Sequence, residues 1–135
     1  MTILIVEDNA LIAMTLEAML TEAGYKISGP AASTKRALEI AEATPPHIAL
    51  LNIRLSDGGS GVTLARTLKQ RWGTAVIFLT GDVIDEPEDR AVAVGVLSKP
   101  CTDHALLCAV DVARRIKKGE TPEARTAVPK GLTIF

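Results

Sequence analysis

Short apolar runs alternate along this chain with stretches in which apolar residues recur every three or four positions. Thr2 to Val6 is the first run, and it ends in two acids, Glu7 and Asp8. Ile12, Leu16, Met19, Leu20 and Ala23 then follow helical spacing, with Asp8 or Asn9 able to cap the start and Gly24 to end it. Tyr25 to Pro30 predicts a weaker strand. Ser33 caps a second helix to about Ala43, with Ala37, Leu38 and Ala41 inward, and Pro45-Pro46 stops it. Ile48 to Ile53 is apolar except for Asn52, which predicts a central strand buried on both faces with Asn52 at its carboxyl end. A turn-rich loop, Arg54 to Gly61, leads into a third helix with Ala65, Leu68 and Trp72 on one face and Gly73 at its end. Ala75 to Thr80 predicts another buried strand. Pro87 suits the start of a short helix to about Val94, and Val96 to Ser98 reads as a brief strand. Thr102 caps a last helix, with Leu106, Ala109, Val110, Ala113 and Ile116 inward and Gly119 closing it.

Strand followed by helix, five times over, predicts an α/β fold with a parallel sheet and helices on both faces. The periodic pattern covers residues 1–118, one domain. Residues 119–135 read as a C-terminal extension: an arm poor in apolar residues, with Pro122, Pro129 and Gly131, that ends in the β-prone segment Leu132-Thr133-Ile134-Phe135. That ending predicts an arm that is either flexible or docked on a partner subunit through Leu132, Ile134 and Phe135, by strand addition or exchange, giving a homodimer.

Composition narrows the class. The chain has 135 residues, of which 47% are apolar and only 3% aromatic, so the core is built from Ala, Val, Ile and Leu. A formal net charge of −1 gives no electrostatic footprint for nucleic acid. Cys101 and Cys108 match no zinc spacing and fit a reduced, cytoplasmic setting. No apolar run approaches the roughly 20 residues that cross a bilayer, and the amino terminus begins directly on a strand-like run.

In a parallel sheet the carboxyl ends of the strands share one edge, where open α/β sheets bind ligands. That edge collects Glu7, Asp8, Asn52, Thr80 and Lys99. Two carboxylates and an amide oxygen can hold a hard cation such as Mg²⁺. A hydroxyl and an ammonium suit phosphoryl oxygens. Each residue alone is a solvated strand end, but five at the ends of four buried strands form a constellation.

The motifs Ile3-Leu4-Ile5-Val6-Glu7-Asp8, Leu50-Leu51-Asn52-Ile53 with Gly61 beyond, Phe78-Leu79-Thr80-Gly81 and Leu97-Ser98-Lys99-Pro100 make the chain resemble a two-component response regulator receiver domain over residues 2–118. The resemblance implies a flavodoxin-like (βα)5 three-layer sandwich with parallel strand order 2-1-3-4-5. It also implies a phosphorelay in which a histidine kinase passes a phosphoryl group to an aspartate at the end of the third strand. By position, Glu7 and Asp8 match the metal-binding acids, with Asn52 and the backbone carbonyl of Arg54 completing the protein's share of an Mg²⁺ site. Thr80 matches the switch hydroxyl and Lys99 the phosphate-binding lysine. Val96 takes the switch-aromatic position, and Pro100 follows a cis Lys-Pro bond.

Three departures shape the expected function. Asn52 stands where the resemblance puts the phospho-acceptor Asp. Its amide nitrogen is delocalised and offers no carboxylate oxygen to attack phosphorus, and the loss of a formal charge leaves Mg²⁺ weakly bound or absent. Such an Asn arises either as an Asp→Asn variant that traps the unphosphorylated state or in a natural receiver that has lost phosphorylation. Val96 replaces the aromatic residue that rotates inward in many receivers. The helix from Pro87 to Val94 is short, which alters a surface that receivers use to dimerise.

The expected function is therefore a single-domain response regulator that signals through protein–protein contacts and is not phosphorylated at position 52. Its partners would be a histidine kinase, a downstream regulator protein and a second copy of itself, without nucleic acid or membrane. The alternative is a phosphorylation-independent pseudo-receiver that binds or titrates a kinase or another regulator. A phosphohydrolase on the same edge would need a nucleophilic or basic carboxylate at its centre, and Asn52 removes it, so no catalytic residue and no enzyme activity are assigned. Asp57 is a turn residue beside Gly58 before it is a substitute acceptor. His47 and His104 read as surface residues. Cys101 lies near a helix amino terminus, which would favour a thiolate, although an inert thiol is the simpler reading.

Overall fold

A computed structural model describes residues 1–53, 61–80, 92–99, 101–119 and 132–134. The elements in chain order are β1 (Thr2–Val6), α1 (Ala10–Glu22), β2 (Lys26–Ala31), α2 (Thr34–Ala43), β3 (Ile48–Asn52), α3 (Gly61–Trp72), β4 (Ala75–Thr80), β5 (Gly95–Ser98), α4 (Asp103–Lys117) and β6 (Leu132–Ile134). The short helix expected from Pro87 lies, but for its last residues, outside the described residues, as do Arg54, Asp57, Pro100 and Phe135.

The sheet runs β2-β1-β3-β4-β5-β6. Its first five strands are parallel, which is the flavodoxin-like 2-1-3-4-5 order. Period-2 alternation then sorts side chains into two apolar layers. Ile3, Ile5, Ile48, Leu50, Ile77 and Leu79 face α1 and α4, where they meet Leu16, Leu20, Leu106 and Val110. Leu4, Val6, Ala49, Leu51, Val76 and Phe78 face α2 and α3, where they meet Ala37, Ala41, Leu64 and Leu68. A strand needs apolar residues at every position only if both faces are covered, and that is why β3 and β4 read as unbroken apolar runs. The small residues of α2, Ala37 and Ala41, are fully buried and let that helix lie close to the sheet.

Local chemistry sets the helix starts. The side chains of Asn9, Ser33 and Thr102 accept from the backbone N–H of Ile12, Arg36 and Ala105 at 3.1, 3.2 and 3.1 Å. The cis peptide bond seen among the described residues is Gly29–Pro30. No helix of the described residues is long and apolar enough to cross a membrane.

The arm departs from expectation. Leu132–Ile134 does add a strand, but it pairs antiparallel with β5 of its own chain: Leu97 with Leu132, Val96 with Thr133 and Gly95 with Ile134. Among the described residues the sheet thus has six strands, and the last is added within one chain. The reason is the open edge of β5, whose unpaired backbone groups are the nearest template for a β-prone segment that follows the last helix.

Candidate functional site

The site is built where the parallel strands end. β1 aligns Val6 with Leu51, so Glu7 and Asp8 emerge beside Asn52. Asn52 aligns with Leu79, one residue before Thr80, and Thr80 aligns with Ser98, one residue before Lys99. Backbone bonds extend this register past the strands. The Glu7 N–H donates to the Ala31 carbonyl at 2.9 Å, and the Lys99 N–H to the Thr80 carbonyl at 2.8 Å. The structure therefore brings together Glu7, Asp8, Asn52, Thr80 and Lys99, the five residues expected at this edge.

Gly61 fixes the position of Asn52. Its N–H donates to the Ile53 carbonyl at 2.7 Å, which ties the start of α3 to the end of β3. A Cβ at position 61 would lie 2.6 Å from the Asn52 carbonyl oxygen and 2.7 Å from the Ile53 Cα, so only glycine permits this approach. The sequence signal was a glycine just past a strand end.

Two polar contacts organise the pocket. The Glu7 side chain is 1% exposed and pairs with Lys99, whose Nζ is 2.9 Å from Oε2. Its other oxygen, Oε1, accepts the Asn9 N–H at 3.3 Å. A carboxylate removed from water needs such partners, and the ammonium supplies the main one. Beside it, Asn52 Nδ2 donates to Asp8 Oδ1 at 3.1 Å. Asn52 is half-buried and Asp8 exposed, while Thr80 is buried at the end of β4. Val96 is buried in the layer facing α2 and α3.

The Glu7–Lys99 pair is absent from any local reading because its members are 92 residues apart. Sequence reasoning assigned Glu7 to a metal and Lys99 to phosphate. In the structure they also neutralise each other.

The same geometry bears on Mg²⁺. Among the described residues no cluster of three or more acidic, histidine or cysteine side chains is arranged to hold a metal ion. Glu7 is engaged by Lys99, and Asp8 faces an amide nitrogen and not an oxygen. Mg²⁺ wants several oxygen ligands at near-octahedral geometry, and here Glu7 is paired and Asn52 turns its amide nitrogen to Asp8, while Arg54, the expected backbone ligand, lies outside the described residues.

Around the site, a cavity of about 400 Å³ opens between α1 and the start of α4, lined by Leu11, Leu16, Met19, Leu79, Lys99 and Cys101 among others. Burial pushes the Cys101 thiol up from its ordinary pKa, and this outweighs the lowering by a backbone hydrogen bond. That direction agrees with the simpler reading of Cys101 as an inert thiol. His47 and His104 are exposed, and His47 Nδ1 accepts the Thr2 N–H at 3.1 Å.

Comparison with known proteins agrees with this geometry. Residues 3–111 match the response regulator receiver domain. The phyllosphere-induced regulator PhyR of Methylorubrum extorquens is 40% identical over 79 residues, covering 58% of this chain and 30% of that protein. The transcriptional regulatory protein PdtaR of Mycobacterium tuberculosis is 31% identical over 115 residues, covering 82% of this chain and 55% of the relative. The chain thus spans between about a third and about half of these curated relatives. Among solved structures, the signal receiver domain of a modulated diguanylate cyclase from Desulfovibrio desulfuricans G20 is 32% identical with a TM-score of 0.80, covering 89% of this chain and 98% of that one. With the strand order, the carboxyl-edge constellation and a match over nearly the whole described domain, this chain belongs to the response regulator receiver domain family.

Proposed function

We propose that this chain signals in a two-component phosphorelay through protein–protein contacts, with Asn52 at the acceptor position, and does not take a phosphoryl group there. The observation that carries the reading is the Asn52–Asp8 hydrogen bond at 3.1 Å, at the carboxyl end of β3 and beside Glu7 and Lys99. Acyl phosphate formation requires a carboxylate oxygen to attack phosphorus. Position 52 offers an amide whose nitrogen lone pair is delocalised and whose N–H is committed to an acid.

The partners of this reading are a histidine kinase and a downstream regulator. On α1, Leu11 is 73% exposed and lines the cavity that borders Lys99, and Met14, one turn further on, is 65% exposed. Exposed apolar side chains next to a polar site suit a partner that contacts both.

A second reading, a phosphorylation-independent module that binds or titrates its partner, is favoured by the two side-chain contacts at this edge. Lys99 pairs with Glu7 and Asn52 with Asp8, so each acid already has a side-chain partner within the chain.

Beryllium trifluoride, which bonds to a carboxylate oxygen as a phosphoryl mimic, tests the acceptor claim. With Mg²⁺ present, fluorine NMR should show no protein-bound species for the parent chain and a bound species for Asn52→Asp. A bound species on the parent would overturn the proposal.

A further inference from the structure

The two edges of the sheet are built differently. β2 ends the sheet on one side with exposed Lys26 and with Pro30, which has no N–H to offer another strand. β5, Gly95-Val96-Leu97-Ser98, carries neither proline nor charge. Left bare it would be an open template, and β6 is what covers it.

The fit of β6 is specific. Leu132 is 5% exposed and joins the apolar layer of α1 and α4 next to Leu97, its partner in register. Ile134 packs against the same layer, and its partner in register is Gly95. A Cβ at position 95 would stand 2.5 Å from the Thr133 carbonyl oxygen and 3.5 Å from both Cα and Cδ1 of Ile134. Gly95 is therefore a notch in the strand, and the isoleucine of β6 fills the space above it. Thr133, between the two apolar residues, is exposed, as alternation requires. Segment 132–134 lies beyond the stretch that matches the receiver family, residues 3–111.

We infer that the β5 edge is a strand-exchange site, at which Leu132–Ile134 of a second copy of this chain can take the place of the chain's own segment. Among the described residues, β6 pairs with β5 and packs on the layer beneath it, and a tail arriving from another molecule can make these same contacts. Pairing within one chain has the advantage of a covalent link, which raises the effective concentration of the segment over that of a free partner. The parent chain should thus keep its own strand when dilute. Exchange appears when the internal pairing is blocked on one side only.

Two full-length variants separate donor from receiver. Gly95→Val closes the notch and releases a normal tail. Leu132→Asp with Ile134→Asp leaves the notch open and spoils the tail, because carboxylates will not enter the apolar layer. Each alone should sediment as a monomer of 14.3 kDa. An equimolar mixture, taken towards the millimolar range, should form a one-to-one dimer with a single exchanged strand. Circular dichroism reports whether each variant is folded. If Gly95→Val does not fold, a synthetic peptide of residues 131–135 replaces it as donor: it should bind the double variant and not the parent, whose edge is filled. A mixture that stays monomeric overturns the inference. So does self-association of the double variant alone, or a peptide that binds parent and double variant equally.

Discussion

Replacing Asn52 by Asp converts a hydrogen bond into a like-charge contact. In the parent, Nδ2 donates to Asp8 Oδ1 at 3.1 Å. In the variant, two carboxylates face each other at about that distance, and Lys99 is already paired with Glu7. The lost hydrogen bond, charge-assisted but partly solvated, is worth about 1 kcal/mol. Two like charges about 4 Å apart repel by about 1 kcal/mol in a water-like medium and about 4 kcal/mol at an effective dielectric near 20. Asp8 is exposed, so the lower part of that range applies. Together the variant should be about 2–3 kcal/mol less stable in the presence of a chelator, a fall of roughly 8–12 °C in Tm for a domain of this size. Mg²⁺ should reverse part of the loss, because a third carboxylate completes a site that Asn52 leaves short of ligands. At ten times its Kd the ion would restore about 1.4 kcal/mol. The assay is thermal and urea denaturation of both chains with and without Mg²⁺. Equal stability of the two chains in chelator, or equal stabilisation of both by Mg²⁺, would refute the reasoning.

Other substitutions probe the supports of the site. Lys99→Met leaves the buried Glu7 carboxylate with little beyond the Asn9 N–H and should cost about 2–4 kcal/mol in urea denaturation, discounted because Lys99 is itself 24% exposed. Adding Glu7→Gln should recover most of that loss, and additive losses would show that the pair is not coupled. Gly61→Ala forces a Cβ against backbone atoms of Asn52 and Ile53 and should destabilise by about 1–3 kcal/mol, whereas an unchanged urea midpoint would contradict the close approach. Burial holds the Cys101 thiol above its ordinary pKa, so less thiolate is present at neutral pH. In a Cys108→Ala background, iodoacetamide should modify Cys101 several-fold more slowly than free cysteine at pH 7, and equal rates would count against that burial.

The parallel sheet was legible because strands buried on both faces leave continuous apolar runs. Thr2–Val6 and Ala75–Thr80 coincide with β1 and β4. The edges were less legible. β2 runs Lys26–Ala31, one residue later than expected, because an edge strand buries little and leaves a weak pattern. β5 begins at Gly95 and not Val96, since a glycine reads as a boundary until the strand that fills its notch is seen. The tail was recognised as β-prone, but nothing in a linear pattern tells a strand whether its partner lies in the same chain. The site followed the same rule. Its members were found from the ends of the apolar runs, while their pairing was not, because Asp8 meets Asn52 across 44 positions and Glu7 meets Lys99 across 92.

Intact mass after incubation with acetyl phosphate and Mg²⁺ tests the central claim most directly. The parent chain should gain no phosphoryl mass, and Asn52→Asp should gain one. An adduct on neither would favour the phosphorylation-independent reading. A phosphoryl adduct on the parent would contradict the account and direct attention to Asp57.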